Sequence, residues 1–259
     1  MRRTTLAALC SVGFAGSLFL AACGGGSTAA TTGGTTGSST ATAASSGGGA
    51  NCKPGSAAAT KGTWTMICLA YNEQVFGVAN TTNPTPCFDQ GGNCLDPTDP
   101  AWPKPDTVAT ASGVSFWFPA TGGGTKAVKS AINIGPEEGG AATVAVPAGR
   151  YKALGILGSA GNGPGTADIQ FNYTDGSKDT ATQALDDWCN SSPTGQPGFM
   201  PADRWSNAGA TETPACGVFV YTVPIPGSSK TLKSIQFTND SSNGSSTEIE
   251  MLALSLEKA

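Results

Sequence analysis

From residue 62 to the C-terminus the chain runs as short stretches of alternating apolar and polar residues, with almost no helical period. Gly, Pro, Asn and Asp punctuate them. The cleanest stretch is Thr166 to Tyr173. There Ala167, Ile169, Phe171 and Tyr173 fall on one side of an extended chain and Asp168, Gln170 and Asn172 on the other. It stops at Thr174-Asp175-Gly176-Ser177, whose Asp-Gly pair signals a hairpin turn, and Lys178 to Leu185 reads as the returning strand. Further strands are expected at Trp64–Tyr71, Val114–Phe118, Val128–Ile134, Ala142–Val146, Tyr151–Gly158, Gly217–Val223, Leu232–Thr238 and Thr247–Leu256. In the last, Glu248 and Glu250 alternate with Ile249 and Met251, and Leu252-Ala253-Leu254 is apolar on both sides, which places that end in mid-sheet. About ten strands without helical connections predict an all-β fold, an antiparallel β-sandwich or jelly roll, rather than a βαβ fold.

The N-terminus is of a different kind. Arg2 and Arg3 precede an apolar stretch from Leu6 to Leu20, too short and too interrupted by glycine to span a membrane comfortably. It ends in Leu20-Ala21-Ala22-Cys23, which matches a bacterial lipobox. Residues 1–22 thus read as a lipoprotein signal peptide, and Cys23 as the site of diacylglycerol attachment and N-acylation, with palmitate-type chains. Gly24 follows where an inner-membrane retention Asp would stand, so in a cell with two membranes the outer one is expected. Residues 23–51 form a lipidated Gly/Ser/Thr/Ala-rich linker without charge or aromatic side chains, expected to be disordered. As a flexible coil it reaches roughly 30 Å, enough to hold residues 52–259, the predicted β-sandwich domain, clear of a lipid surface.

Charge and cysteine narrow the chemistry. There is no histidine, which excludes Ser-His-Asp and Cys-His nucleophiles and His-ligated metals. Loss of Arg2 and Arg3 with the leader leaves 12 basic against 18 acidic side chains, arguing against nucleic acid as a partner. Six cysteines remain in the body: Cys52, Cys68, Cys87, Cys94, Cys189 and Cys216. In an exported chain they read as three disulfides, and proximity favours Cys52–Cys68, Cys87–Cys94 and Cys189–Cys216 among the possible pairings.

The segment Val144-Ala145-Val146-Pro147-Ala148-Gly149-Arg150-Tyr151-Lys152-Ala153-Leu154-Gly155-Ile156-Leu157-Gly158, running on to Asn162-Gly163, stands upstream of Phe171-Asn172-Tyr173-Thr174-Asp175-Gly176-Ser177 and Asp187-Trp188. Together these resemble a galactose-binding-like jelly-roll module, as found beside bacterial and fungal glycoside hydrolases. Tyr71-Asn72 and Phe88-Asp89-Gln90-Gly91-Gly92 are similar to its opening strand and loop, and Gly217–Val223 and Ile249–Leu256 to its closing strands. The likeness spans about 190 residues and bears on the scaffold more than on the ligand. The six cysteines exceed what such modules usually carry, and no catalytic domain accompanies the module on this chain. The resemblance implies carbohydrate binding and a structural calcium near the opening loop, where Asp89, Asp96 and Asp99 are the local acidic cluster.

Two long connections, about Ala79–Ser112 and Cys189–Cys216, are where binding residues are expected. Trp102 and Trp205 sit in polar loops and are candidate exposed sugar-stacking surfaces, with Arg204 beside Trp205 as a hydrogen-bond donor. Asp187 and Trp188 could grip a sugar, or could be an edge tryptophan with a carboxylate tying down the loop. The carboxylate pairs available as glycosidase machinery, which needs two facing acids, are Glu137-Glu138 and Asp186-Asp187. The first reads as a solvated turn, and the members of the second point to opposite faces. The expected function is therefore that of a non-catalytic, lipid-anchored cell-surface protein binding a glycan or another extracellular ligand. An adhesive envelope protein with a protein partner is the alternative, and a carboxylate-only hydrolase the weaker third reading.

Overall fold

The computed structural model describes residues 52–82, 87–89, 91–136, 139–190, 193–200, 204–206, 209, 211–212, 216–240 and 247–259. The expected signal peptide, the expected lipidation site Cys23 and the linker lie outside the described residues. Among these, the structure is all-β apart from one short 3-10 turn. In chain order the strands are β1 (Ala57–Lys61), β2 (Trp64–Ile67), β3 (Cys94–Leu95), β4 (Thr107–Ala111), β5 (Val114–Phe118), β6 (Ile132–Asn133), β7 (Ala141–Gly149) and β8 (Tyr151–Gly161). There follow β9 (Gly165–Tyr173), β10 (Lys178–Leu185), β11 (Gln196–Phe199), β12 (Arg204–Trp205), β13 (Thr211–Glu212), β14 (Val218–Pro224), β15 (Leu232–Asn239) and β16 (Glu248–Lys258).

Two antiparallel sheets face each other. The larger runs β1-β2-β16-β8-β14-β11, with β6 also on β16, and the smaller runs β10-β9-β15-β7. Apart from the β9–β10 hairpin, successive long strands cross between them: β7, β9, β10 and β15 belong to the smaller sheet, β8, β14 and β16 to the larger. Period-2 alternation fixes what lies between. Ile169, Phe171 and Tyr173 of β9 and Ile235 and Phe237 of β15 meet Leu154 and Ile156 of β8 and Ile249, Met251, Leu254 and Leu256 of β16. Each such aliphatic or Phe side chain removed from water contributes about 1.5–3 kcal/mol. The β9–β10 hairpin closes where the sequence places it. Gly176 takes φ 85°, and the Ser177 N–H and hydroxyl both donate to the Asp175 carboxylate, at 2.9 and 2.6 Å.

A second core lies on the opposite face of the larger sheet. Leu157 of β8, Val218 and Val220 of β14 and Leu252 and Ala253 of β16 pack there against Val114, Phe116 and Phe118 of the β4–β5 hairpin. The opening loop adds Val75, Phe76, Phe88, Leu95 and Trp102. β16 is thus buried on both faces, as its doubly apolar end implies. Three expectations need correction. The strand expected at Trp64–Tyr71 ends at Ile67, and of Val128–Ile134 only Ile132–Asn133 forms a strand, with Ala131 an isolated bridge to Glu73. The connection Ala79–Ser112 is not a plain loop but contains β3 and β4; these and other short pairs bring the strand number above ten.

All three disulfides join the cysteines that proximity favours: Cys52–Cys68, Cys87–Cys94 and Cys189–Cys216, with Cα atoms 5.7, 5.3 and 4.2 Å apart. The first fastens the start of the body to the end of β2, where Gly55 N–H donates to Cys68 O at 2.8 Å.

Candidate functional site

The tryptophans expected to be exposed are not. Trp102 is 8 % exposed, with its indole N–H donating to Asp96 O at 2.6 Å. Its ring lies 5.3 Å from Phe76, edge-on, and 5.7 Å from Phe118, stacked. Trp205 is 6 % exposed. Gly77 and Gly124 lie flat against its ring, so that a Cβ at either would come within 2.9 and 3.1 Å of it. Arg204, half-buried, pairs in register with Leu95 of β3. Trp102 packs in the second core and Trp205 is buried beside Gly77 and Gly124, and burial denies both indoles a sugar face.

Trp188 and Asp187 follow the other reading given them. Trp188 is 2 % exposed and stacks on Phe88, with centroids 4.6 Å apart and 19° between planes. Asp187 Oδ2 accepts from Gly163 N–H at 2.7 Å and Oδ1 from Cys189 N–H at 2.9 Å, tying the β8–β9 turn to the long loop. Asp186 turns the other way. Its carboxylate accepts from Thr194 N–H at 3.0 Å and Gly195 N–H at 2.8 Å, and from the Tyr221 hydroxyl at 3.0 Å. Burial pushes its carboxyl upward, but these N–H donors with the Tyr221 and Thr194 hydroxyls outweigh that and hold it below its ordinary value. Burial also drives the Tyr221 hydroxyl far above the usual phenol range, so it stays protonated and donates.

A group with a depressed folded-state value stabilises fully above its unfolded value and stops doing so as pH falls through the folded one. Asp186→Asn is therefore expected to cost about 2 kcal/mol at neutral pH, the worth of a hydrogen bond to a charged group. The acid limb of its stability curve should be shallower than the parent's. Urea melts from neutral pH down to acid check both.

The three acids expected to hold calcium do not come together among the described residues. Asp89 accepts from Asn93 N–H and Nδ2, Asp96 from Thr98 N–H and hydroxyl, and Asp99 from Ala101 N–H, so each carboxylate closes its own turn. No group of three His, Cys, Asp or Glu side chains able to hold a metal occurs among the described residues. Glu137 and Glu138 lie outside them.

Two features escaped sequence reading. Glu248 and Glu250 share a face of β16 and are fully buried, with Asn133 Nδ2 donating to Glu250 Oε1 at 2.7 Å. Strand alternation with Ile249 and Met251 alone is the pattern of surface acids. The second is Trp117, on the outward side of the β4–β5 hairpin opposite Val108, a half-buried indole that belongs to neither core.

What the fold leaves open is the outer face of the smaller sheet. Its register lays out three rows across β10, β9, β15 and β7: Lys178–Asn172–Ser234–Ala145, Thr180–Gln170–Gln236–Thr143 and Thr182–Asp168–Thr238–Ala141. Every residue in them is exposed or half-buried, and only Lys178 and Asp168 are charged. Gln170 Nε2 donates to Asn172 Oδ1 at 2.9 Å and to Gln236 Oε1 at 3.2 Å, and the Thr182 hydroxyl to Asp168 Oδ1 at 3.0 Å. That leaves the Gln170 carbonyl and the amino groups of Asn172 and Gln236 facing water. A planar array offering both donors and acceptors, with little charge, suits a ligand dense in hydroxyls. No family model and no curated protein matches the chain.

Proposed function

We propose that this is a non-catalytic, lipid-anchored cell-envelope protein whose β-sandwich binds a neutral glycan on the open face of its smaller sheet. One observation carries the reading: the amide-and-hydroxyl rows centred on Gln170 and Gln236. Hydroxyls of a saccharide present donors and acceptors in the same plane, and side-chain amides meet both. The non-catalytic part is supported by the acids. Asp186 and Asp187 hold backbone in opposite directions, and Glu248 and Glu250 are sealed from solvent. Anchoring at Cys23 rests on the lipobox match.

A glycan array probed with the full chain tests the ligand. Gln170→Ala with Gln236→Ala is expected to weaken saccharide binding roughly tenfold or more, at about 1 kcal/mol per lost hydrogen bond. Trp117→Ala, on the far side of the sandwich, should leave it unchanged. Silence across the array, or binding indifferent to the glutamine pair, rejects the reading and favours a protein partner. Fatty-acid labelling that persists in Cys23→Ala would reject the anchor.

A further inference from the structure

We infer that β10 is the interface through which two copies of this chain join, edge to edge and antiparallel. An edge strand presents unpaired N–H and C=O groups, and folded proteins commonly blunt such edges with proline, bulges or cover. Three of the four edges of the two principal sheets are blunted here. β1 breaks register between Ala57 and Ala59. β11 is four residues long, contains Pro197 and breaks register beside it. β7 contains Pro147, loses register against β15 at that point, and has Gly55 packed on Ala145. Among the described residues β10 shows none of these devices, and its only charges, Lys178 and Asp179, stand at its turn end. Its eight residues hold an unbroken register with β9, contain neither Pro nor Gly, and pair with no other strand among the described residues.

The turn fixes which groups point outward. Tyr173 N–H donates to Ser177 O at 3.1 Å, so that pair is a hydrogen-bonded one. Alternation along an antiparallel ladder then turns Asp179, Ala181 and Gln183 toward β9 and Thr180, Thr182 and Ala184 toward the open edge. A two-fold axis through Ala181, perpendicular to the sheet, keeps every contact within the strand. It sets Thr180 opposite Thr182, Lys178 opposite Ala184 and Asp179 opposite Gln183. No like charges meet, Thr pairs are favourable cross-strand neighbours, and an isologous two-fold contact closes at two copies. The pairing stands or falls independently of any sugar. If the glycan reading also holds, the axis places both open faces on the same side of one eight-stranded sheet.

The full chain, purified in mild detergent, supplies the test. Ala181→Cys should form a disulfide-linked dimer under mild oxidation, because the axis brings residue 181 opposite its own copy. Thr143→Cys on the blunted β7 edge should form no disulfide-linked species under the same oxidation. Thr182→Pro removes an outward N–H that the monomer does not use, and should abolish dimer mass in sedimentation while leaving the melting temperature close to the parent's. Should that variant fold poorly, Thr180→Lys with Thr182→Lys gathers like charges at the axis and should give the same loss. A parent chain that sediments as a monomer at every concentration, an Ala181→Cys variant that links no faster than Thr143→Cys, or a dimer that survives both edge variants overturns the inference. A monomer whose β10 edge instead takes up an extended peptide from another protein overturns it equally.

Discussion

Trp188→Ala is expected to destabilise the protein by about 3–5 kcal/mol, the range for deleting a buried aromatic side chain. In a body of this size that lowers the melting temperature by roughly 10 °C. The indole stacks on Phe88, which the Cys87–Cys94 disulfide holds over the end of β8. The Trp188 backbone donates to Ala160 O at 2.8 Å and accepts from Gly217 N–H at 2.9 Å, so the chain cannot easily collapse into the space left. The cavity would open in the second core, between the opening loop and the larger sheet. Calorimetry reads the loss directly. Any ligand affinity per folded molecule should be unchanged, since the ring has no open face. A variant as stable as its parent but weaker for a saccharide would make Trp188 a contact residue after all.

The two outcomes available for Trp188 show what a sequence can and cannot carry. Period-2 alternation reports which side of a strand is apolar, so it placed Ile169, Phe171 and Tyr173 in the core, and the Asp175-Gly176 turn set the β9–β10 register. Disulfide pairing followed because each bridge closes a local loop, with sequence separations of 16, 7 and 27. Alternation says nothing about what covers a strand's second face. Trp102 and Trp205 stand among polar residues in loops, yet those loops bury them, Trp102 in the second core and Trp205 against β3, Gly77 and Gly124. The same cover hides Glu248 and Glu250, whose pattern is that of a solvated strand end while β6 and the Asn133 amide close over them. β4 escaped because Thr107-Val108-Ala109-Thr110-Ala111 is weakly apolar and gains its partner only from β5. The open sheet face was readable as polar positions in each strand. Their assembly into rows was not, since β15 reaches β9 from a remote part of the chain and is itself flanked by β7.

Opening the Cys189–Cys216 disulfide, as Cys189→Ala with Cys216→Ala, is expected to cost about 3.5 kcal/mol from the chain entropy released by a loop of that length. It should be the costliest of the three, because its sequence separation of 27 exceeds the 16 of Cys52–Cys68 and the 7 of Cys87–Cys94. Alanine keeps the buried Cys216 position apolar, so the measurement is not confounded by a buried hydroxyl. The loop has a second clamp in Asp186, which holds Thr194 and Gly195 a few residues beyond Cys189. This separates two ways in which the bridge can act. If it works by restricting the unfolded chain, it owes nothing to native contacts, and its loss should add to that of Asp186→Asn within about 0.5 kcal/mol. If instead it works by pressing the loop onto the sandwich, the clamp and the bridge share one task. Removing both should then cost more than the separate losses together, because either alone still secures the loop. Denaturant melts of the double, the Asp186 and the combined variants decide it. The entropic account expects additivity, because Asp186 anchors its loop through five donors of its own and needs no help from the sulfurs.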